Sequence, residues 1–361
     1  MPEGWADDIF IKTIKLIAPG TTLYEGLENI LRARTGGLLV VGDSPEILEL
    51  VDGGFRLDCD LDPSSLYELA KMDGAIVISS DATKIVYANA ELAPNTSIPT
   101  SETGTRHRTA ERAAIQTGEL VIAISQRRNV ITLYKGNMRY VVRDFSVVMA
   151  KANQALQTLQ KYRSVLDEAL SLLTALEFEN MVTLADVTNV IRRAEMVSHI
   201  AKEIQWYVYE LGTEGRLIEM QMDELMSDIE DEGHLVIRDY AINNDEKSVA
   251  EIKKHLPNWS AEDLLDMNLI AKALGFTVAN INPDTQVAPR GYRILRKIPR
   301  VPVPVITNLV EKFGSFLNIV GASIESLDDV EGIGEVRAKA IQNGLKRLKE
   351  QASLSLNRYY V

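Results

Sequence analysis

Arg106, His107 and Arg108 place two guanidiniums and an imidazole on consecutive residues, inside the run Gly104-Thr105-Arg106-His107-Arg108-Thr109. The run opens a helical pattern: Arg108, Glu111, Arg112 and Ile115 precede Gly118, a C-terminal stop signal. A helix N-terminus presents unpaired N–H groups and a partial positive charge, which suits phosphate. Guanidinium forks match phosphate oxygens. Upstream, Asp73-Gly74-Ala75 supplies a hard carboxylate fit for Mg2+ or Mn2+. A phosphate cradle with a metal-binding carboxylate points to chemistry on a nucleoside triphosphate. Plainer readings exist for the parts: Asp-Gly is a common turn, and Thr105 is a good helix N-cap.

Two further stretches carry weaker signals. Ser125-Gln126-Arg127-Arg128 follows an apolar run and puts a hydroxyl and two cations at its end. Near the C-terminus, Gly332-Ile333-Gly334 precedes Arg337 and Lys339. Glycines lacking Cβ let backbone amides approach phosphate closely, so this turn suits a nucleic-acid backbone, read without regard to base sequence. Gly36-Gly37 and Gly53-Gly54 fit neither the P-loop nor the dinucleotide fingerprint. Four histidines and one cysteine argue against structural zinc.

These residues need elements to hold them. Ile9 to Ile17 and Leu23 to Leu31 have the spacing of amphipathic helices. Leu38 to Val41, Ala75 to Ile78, Leu120 to Ile124 and Val130 to Tyr134 read as buried strands. Lys135-Gly136-Asn137 reads as a hairpin turn leading into Met138 to Val142. Residues 1–145 are therefore expected to form an α/β domain around a central mixed sheet. From Phe145 the period becomes helical, and a second stretch from Val187 to Leu211 stops at Gly212. Residues 146–286 read as an all-α spine or linker, in which the acidic run Asp223 to Glu232 is a solvated helix face. Residues 287–361 open on a basic, proline-punctuated link (Arg290, Arg293, Arg296, Lys297, Arg300). Two helix-turn-helix units follow, turning at Gly314 and at Gly332-Ile333-Gly334.

Charge is distributed unevenly. The net charge of −12 over 361 residues disfavours nucleic-acid binding if read globally. Residues 287–361, however, carry 12 Lys and Arg against 7 Asp and Glu, so nucleic acid is expected there. The acidic Met1 to Asp8 stretch lacks a signal-peptide layout, and the lone Cys59 fits a reducing compartment. No apolar run reaches the length of a membrane span. A cytoplasmic protein with no membrane partner is the expectation.

Lys71-Met72-Asp73-Gly74-Ala75 and Thr103 to Arg112 resemble the two signature motifs of the diadenylate cyclases. Gly42-Asp43-Ser44-Pro45-Glu46 and Ile98-Pro99-Thr100 are similar to other stretches of that family. Val330-Glu331-Gly332-Ile333-Gly334 resembles a helix-hairpin-helix DNA-binding element. The resemblance implies condensation of two ATP into cyclic di-AMP with release of two pyrophosphates. It implies a phosphate role for Ser125 and Arg128, while Gln126-Arg127 departs from the family's basic pattern. Arg127 is carried as a further phosphate contact. The resemblance makes Leu92, in Glu91-Leu92-Ala93-Pro94-Asn95, an adenine contact, where the plain reading is an ordinary turn. Gly74, Thr105, Arg106, His107, Arg108 and Thr109 complete the implied ATP site, with Asp73 as metal ligand and catalytic carboxylate. The resemblance also implies a homo-octamer with cyclase domains meeting in pairs, and activity modulated by branched or damaged DNA bound at Gly332, Ile333, Gly334, Arg337 and Lys339. Two rivals stay open: a non-catalytic, ATP-sensing DNA-binding scaffold, and a DNA nucleotidyltransferase. The second lacks a recognisable partner carboxylate beside Asp73.

Overall fold

The structure, a computed structural model, describes residues 7–260, 262–277 and 281–359; most of the acidic N-terminal stretch lies outside them. The chain packs as two compact units. One runs to Gln154 and includes Ile204–Met220; the other is Ala155–Glu203 with the residues from Gln221 onward. The stretch around Gly212, where the helical period stops as expected, thus packs with the first unit.

The first unit holds helices α1 (Asp7–Leu16), α2 (Thr22–Ala33), α3 (Pro45–Leu48), α4 (Pro63–Leu69) and α5 (Thr105–Thr117). Its strands are β1 (Gly37–Val41), β2 (Val51–Asp52), β3 (Phe55–Asp60), β4 (Ala75–Ile78), β5 (Lys84–Leu92), β6 (Leu120–Ser125), β7 (Val130–Lys135) and β8 (Met138–Val141). They form one sheet in the order β2-β5-β4-β1-β6-β7-β8, with β3 also on β5. β1 and β4 are parallel and the other pairs antiparallel, so the sheet is mixed.

Side-chain alternation sends β1 into two cores. Leu39 and Val41 meet Leu23, Leu27 and Ile30 of α2 and Leu66 of α4. Leu38 and Val40 meet Ala110, Ala113 and Ala114 of α5. Every residue of β1 is buried, which explains its unbroken apolar sequence. The alanine face of α5 lets that helix lie close on the sheet and fixes where its first turn points.

Two strand expectations change. β5 runs through Glu91 and Leu92, so these residues belong to a strand and not to a turn. β2 and β3 were not foreseen. β3 alternates apolar and polar residues (Phe55, Leu57 and Cys59 against Arg56, Asp58 and Asp60), although all of its side chains are exposed.

The remaining helices are α6 (Phe145–Glu179), α7 (Leu184–Leu211), α8 (Arg216–Met226), α9 (Ile229–Tyr240), α10 (Glu246–His255), α11 (Met267–Ala273), α12 (Tyr292–Arg296), α13 (Val303–Phe313), α14 (Phe316–Val320), α15 (Ile324–Asp328) and α16 (Glu335–Tyr359). The acidic run is not one helix face: it breaks at Asp228, which takes φ 65° between α8 and α9. In the second unit Ala175 and Phe178 of α6 share a core with α12, α13 and α16. Phe178 stacks edge-on against Phe316, with ring centroids 5.1 Å apart.

Two of the five basic residues of the link are turned inward, which corrects the sequence reading, while Arg296, Lys297 and Arg300 stay exposed. Arg293 is fully buried and pairs with fully buried Glu177. It also donates to Thr174 at 3.0 Å and lies 3.5 Å from Glu232. Tyr240 donates to the other Glu177 oxygen at 2.7 Å. Asp239 accepts from the backbone amides of Gly291, Tyr292 and Arg293 at 2.7–3.0 Å, capping α12. Burial, and then Glu177, push the Asp239 pKa up to about 7. Arg290 donates to the carbonyls of Asp239 and Ile242 at 2.9 and 3.1 Å. Two of the arginines counted toward a basic surface therefore serve packing. Among the described residues, no helix is long and apolar enough to cross a membrane.

Candidate active site

Asp73 lies in the turn before β4, and its side chain is fully exposed. Gly74 follows against β5. Its N–H donates to Asn89 Oδ1 at 3.2 Å, and a Cβ on Gly74 would sit 2.3 Å from the Asn89 carbonyl carbon. Only glycine fits this approach, which explains the Asp-Gly pair. Leu92 ends β5 on the same side of the sheet, since Ala75 pairs with Ala90. Its side chain is only 7 % exposed and packs in the core.

α5 starts at the same sheet end. Gly104 is its N-cap, extended and with no side-chain cap bond. Thr105 is thus the first helical residue, not the cap, and the first-turn amides have no intrahelical acceptor. The preceding loop is tied to α5: Arg112 Nε donates to the Ile98 carbonyl at 2.8 Å, and Thr100 donates to Glu111. Arg106 lies along the turn before β1, where a Cβ on Gly36 would come 2.6 Å from its Nη1. Its Nη2 is 3.4 Å from Asp73 Oδ1. Thr105 and Arg108 are exposed, Thr109 is partly buried, and His107 is buried.

The β6–β7 turn closes the third side. Ser125 Oγ accepts from the Arg128 amide at 3.2 Å, and Asn129 takes φ 52°. Arg127 and Arg128 are exposed. Gln126 lies beside Gly36, next to Arg106. Asp73, Gly74, the α5 first turn and the Ser125–Arg128 turn therefore meet at the end of the sheet where β1 and β4 start and β6 stops. The Gly42-to-Glu46 stretch sits at the opposite end of β1, where Asp43 accepts from Ser80 at 2.7 Å.

A second layer lies beneath, which the sequence did not reveal. Glu102 Oε1 accepts from Tyr134 Oη at 2.8 Å and from Arg139 Nε at 2.7 Å. Glu102 Oε2 lies 3.8 Å from Arg128 Nη2. Tyr134 Oη is 2.9 Å from His107 Nδ1. Burial works to raise the Glu102 pKa, but the bonds from Tyr134 and Arg139 outweigh it and hold the carboxyl low. Tyr134 was legible only as a strand residue, and Glu102 only as the neighbour of a motif.

Among the described residues no group of three His, Cys, Asp or Glu forms a metal cage. The exposed carboxylate of Asp73 is a hard oxygen donor of the kind that suits Mg2+ or Mn2+.

In the second unit, Gly332 takes φ 83° and Ile333 is buried in the core. Gly334 caps α16, its carbonyl accepting from Arg337 and Ala338 at 2.8 and 2.9 Å. Arg337 Nη1 folds back on the Gly332 carbonyl, and Lys339 pairs with Glu335 at 2.5 Å.

The fold and site of the first unit define a nucleotide-binding α/β domain with the diadenylate cyclase motif pair at one sheet end. Residues 24–139 match the family described as DisA bacterial checkpoint controller nucleotide-binding. Residues 142–282 match the DisA bacterial checkpoint controller linker region. The chain is 58% identical to the DNA integrity scanning protein DisA of Carboxydothermus hydrogenoformans, over 97% of this chain and 99% of that one. It is 58% identical to that of Symbiobacterium thermophilum, over 96% and 97%. It is also similar to a structure of DacA from Staphylococcus aureus, at 18% identity and TM-score 0.31, over 37% of this chain and 88% of that one. The chain belongs to the DisA family, and it is a diadenylate cyclase, a nucleotidyltransferase.

Proposed function

We propose that the chain condenses two ATP into cyclic di-AMP and two pyrophosphates. The observation that carries the reading is the meeting of Asp73, the α5 first turn with Arg106, and the Ser125–Arg128 turn at one sheet end. Arg106, Arg108, Thr105 and Thr109, with Ser125, Arg127, Arg128 and the α5 amides, hold the triphosphate. Gly74 lets the backbone lie close, and Leu92 backs the adenine from the core. Each 3′-oxygen attacks the α-phosphorus of the facing ATP. A P–O bond forms, the bond to the β-phosphate bridge breaks, pyrophosphate leaves, and the hydroxyl proton is released. Arg106 and Arg108 stabilise the charge that develops on the leaving group. Asp73 would hold Mg2+ or Mn2+ and receives the hydrogen bond of the incoming hydroxyl. The bound ion supplies charge neutralisation on the phosphates and a lowered hydroxyl pKa.

The product has two-fold symmetry, so two identical sites face each other across a subunit pair, within a homo-octamer. ATP incubated with the full chain and Mg2+ or Mn2+ is expected to yield cyclic di-AMP and pyrophosphate on chromatography. Unconsumed ATP would sink the reading. Monomers with undiminished specific activity at high dilution would sink the shared site.

DNA, branched in preference to linear, binds the helix-hairpin-helix element at Gly332, Ile333, Gly334, Arg337 and Lys339, and its binding modulates the cyclase. Arg337→Glu with Lys339→Glu should weaken binding and flatten its salt dependence by about one unit of log-log slope per lost phosphate contact. Both changes lie near the surface and spare the buried Arg293 pair. A gel shift with unchanged affinity would place the DNA site elsewhere.

A further inference from the structure

The polar chain under α5 has a direction. Glu102, held ionised, can only accept, so the phenolic proton of Tyr134 must point at Glu102 Oε1. Tyr134 Oη therefore has only lone pairs to offer His107, and the hydrogen on the His107–Tyr134 contact belongs to His107 Nδ1. His107 Nε2 is buried and has no hydrogen-bond partner among the described residues. A buried nitrogen of this kind costs free energy until something bonds to it.

We propose that Glu102 and Tyr134 are positioning residues of the nucleotide site, holding His107 in its Nδ1–H form so that Nε2 faces the nucleotide as an acceptor. The inference rests on the cyclase reading above and deepens it. The imidazole accepts from a hydroxyl or a water brought in with the nucleotide. It does not donate to phosphate, so it stands apart from its neighbours Arg106 and Arg108. Burial pushes the His107 pKa down and Glu102 pulls it up. Arg128 across the β6–β7 turn, Arg139 on β8 and Arg106 on α5 push it down again, and the net effect is a lowering. The ring is neutral at neutral pH and keeps one nitrogen free to accept.

Nitrogen NMR of the full chain labelled with [15N]histidine, under magic-angle spinning, reads the tautomer directly. The chain has four histidines, and the resonance moved by Tyr134→Phe identifies His107. The wild type is expected to show Nδ1–H; an Nε2–H form overturns the proposal without any variant. Glu102→Ala frees the phenol to donate to Nδ1 and should switch the ring to Nε2–H. Glu102→Gln keeps an oxygen for Tyr134 and Arg139 and should preserve Nδ1–H.

Kinetics supply the second readout. Tyr134→Phe and Glu102→Ala should lower kcat roughly 10–100-fold, the range for losing a partner that orients a site residue. Tyr134→Phe should leave ATP affinity within a factor of about three, since it touches no phosphate-binding group. Activity should fall as pH drops through the His107 pKa, and Glu102→Gln, lacking the carboxylate that raises this pKa, should move that limb to lower pH. Unchanged tautomer and kcat in Tyr134→Phe overturn the inference. A wild type with the Nδ1–H ring that makes no product overturns the cyclase reading and leaves the tautomer lock standing.

Discussion

Asp73→Asn is expected to leave the chain folded and able to bind ATP but almost unable to form product. The carboxylate has no packing role: its side chain is fully exposed, and its one ion pair, with Arg106, is 3.4 Å long. Exposed pairs of this kind contribute about 0–1 kcal/mol, so the melting temperature should hardly move. ATP affinity should hold or rise, because a negative charge leaves the rim of a triphosphate site and Arg106 is released to the phosphates. Turnover should fall by roughly 10²–10³-fold or more, ~3–4 kcal/mol, as when one preorganised charge contact of a transition state is lost. Single-turnover assays beside calorimetric ATP titration separate the two effects. Near-normal turnover would remove Asp73 from the chemistry.

Arg293→Met should give the largest loss of stability in the second unit. The guanidinium is the counter-ion of fully buried Glu177, and it also faces Glu232. Removing one partner of such a pair strands a charge in low dielectric and costs about 3–5 kcal/mol. Arg296→Met, one helical turn along at an exposed position, should stay within about 0.5 kcal/mol. Urea unfolding followed by far-ultraviolet circular dichroism compares them. Equal midpoints for the two variants would contradict the assigned role.

Much of this architecture could be read in advance because local signals and tertiary needs agreed. β1, β4, β6 and β7 are apolar runs buried on both faces, and Gly118 ends α5 in the left-handed conformation at φ 73°. Gly212, at φ 54°, ends α7 in the same way. The motif residues of α5 and the Asp73 turn could be paired because each carries chemistry in its own residue types. Three features had no local trace. β5 passes through Asn89 at φ 53° and shifts register against β4, so its alternation is broken. Glu102 and Tyr134 meet across 32 positions, and neither residue type alone suggests a partner. Arg290 and Arg293 looked like surface charge because sequence counts cations without seeing which are buried. Their carboxylate and carbonyl partners lie some fifty to a hundred and twenty positions upstream.

That last separation has a consequence during synthesis. Glu177 and Arg293 are 116 positions apart. A ribosome adding roughly 5–20 residues per second delivers the arginine on the order of 10 s after the glutamate. During that interval Ala175 and Phe178 also await the other buried residues of their core, which lie in residues 292–352. The nascent linker therefore emerges with an unclosed core and a carboxylate that has no counter-ion. The first unit's sheet, finished by Val141, has no such debt to residues beyond the linker. A chain released early, before α12, keeps its cyclase sheet and leaves a sticky, half-built helical tail, a natural target for chaperones and proteases.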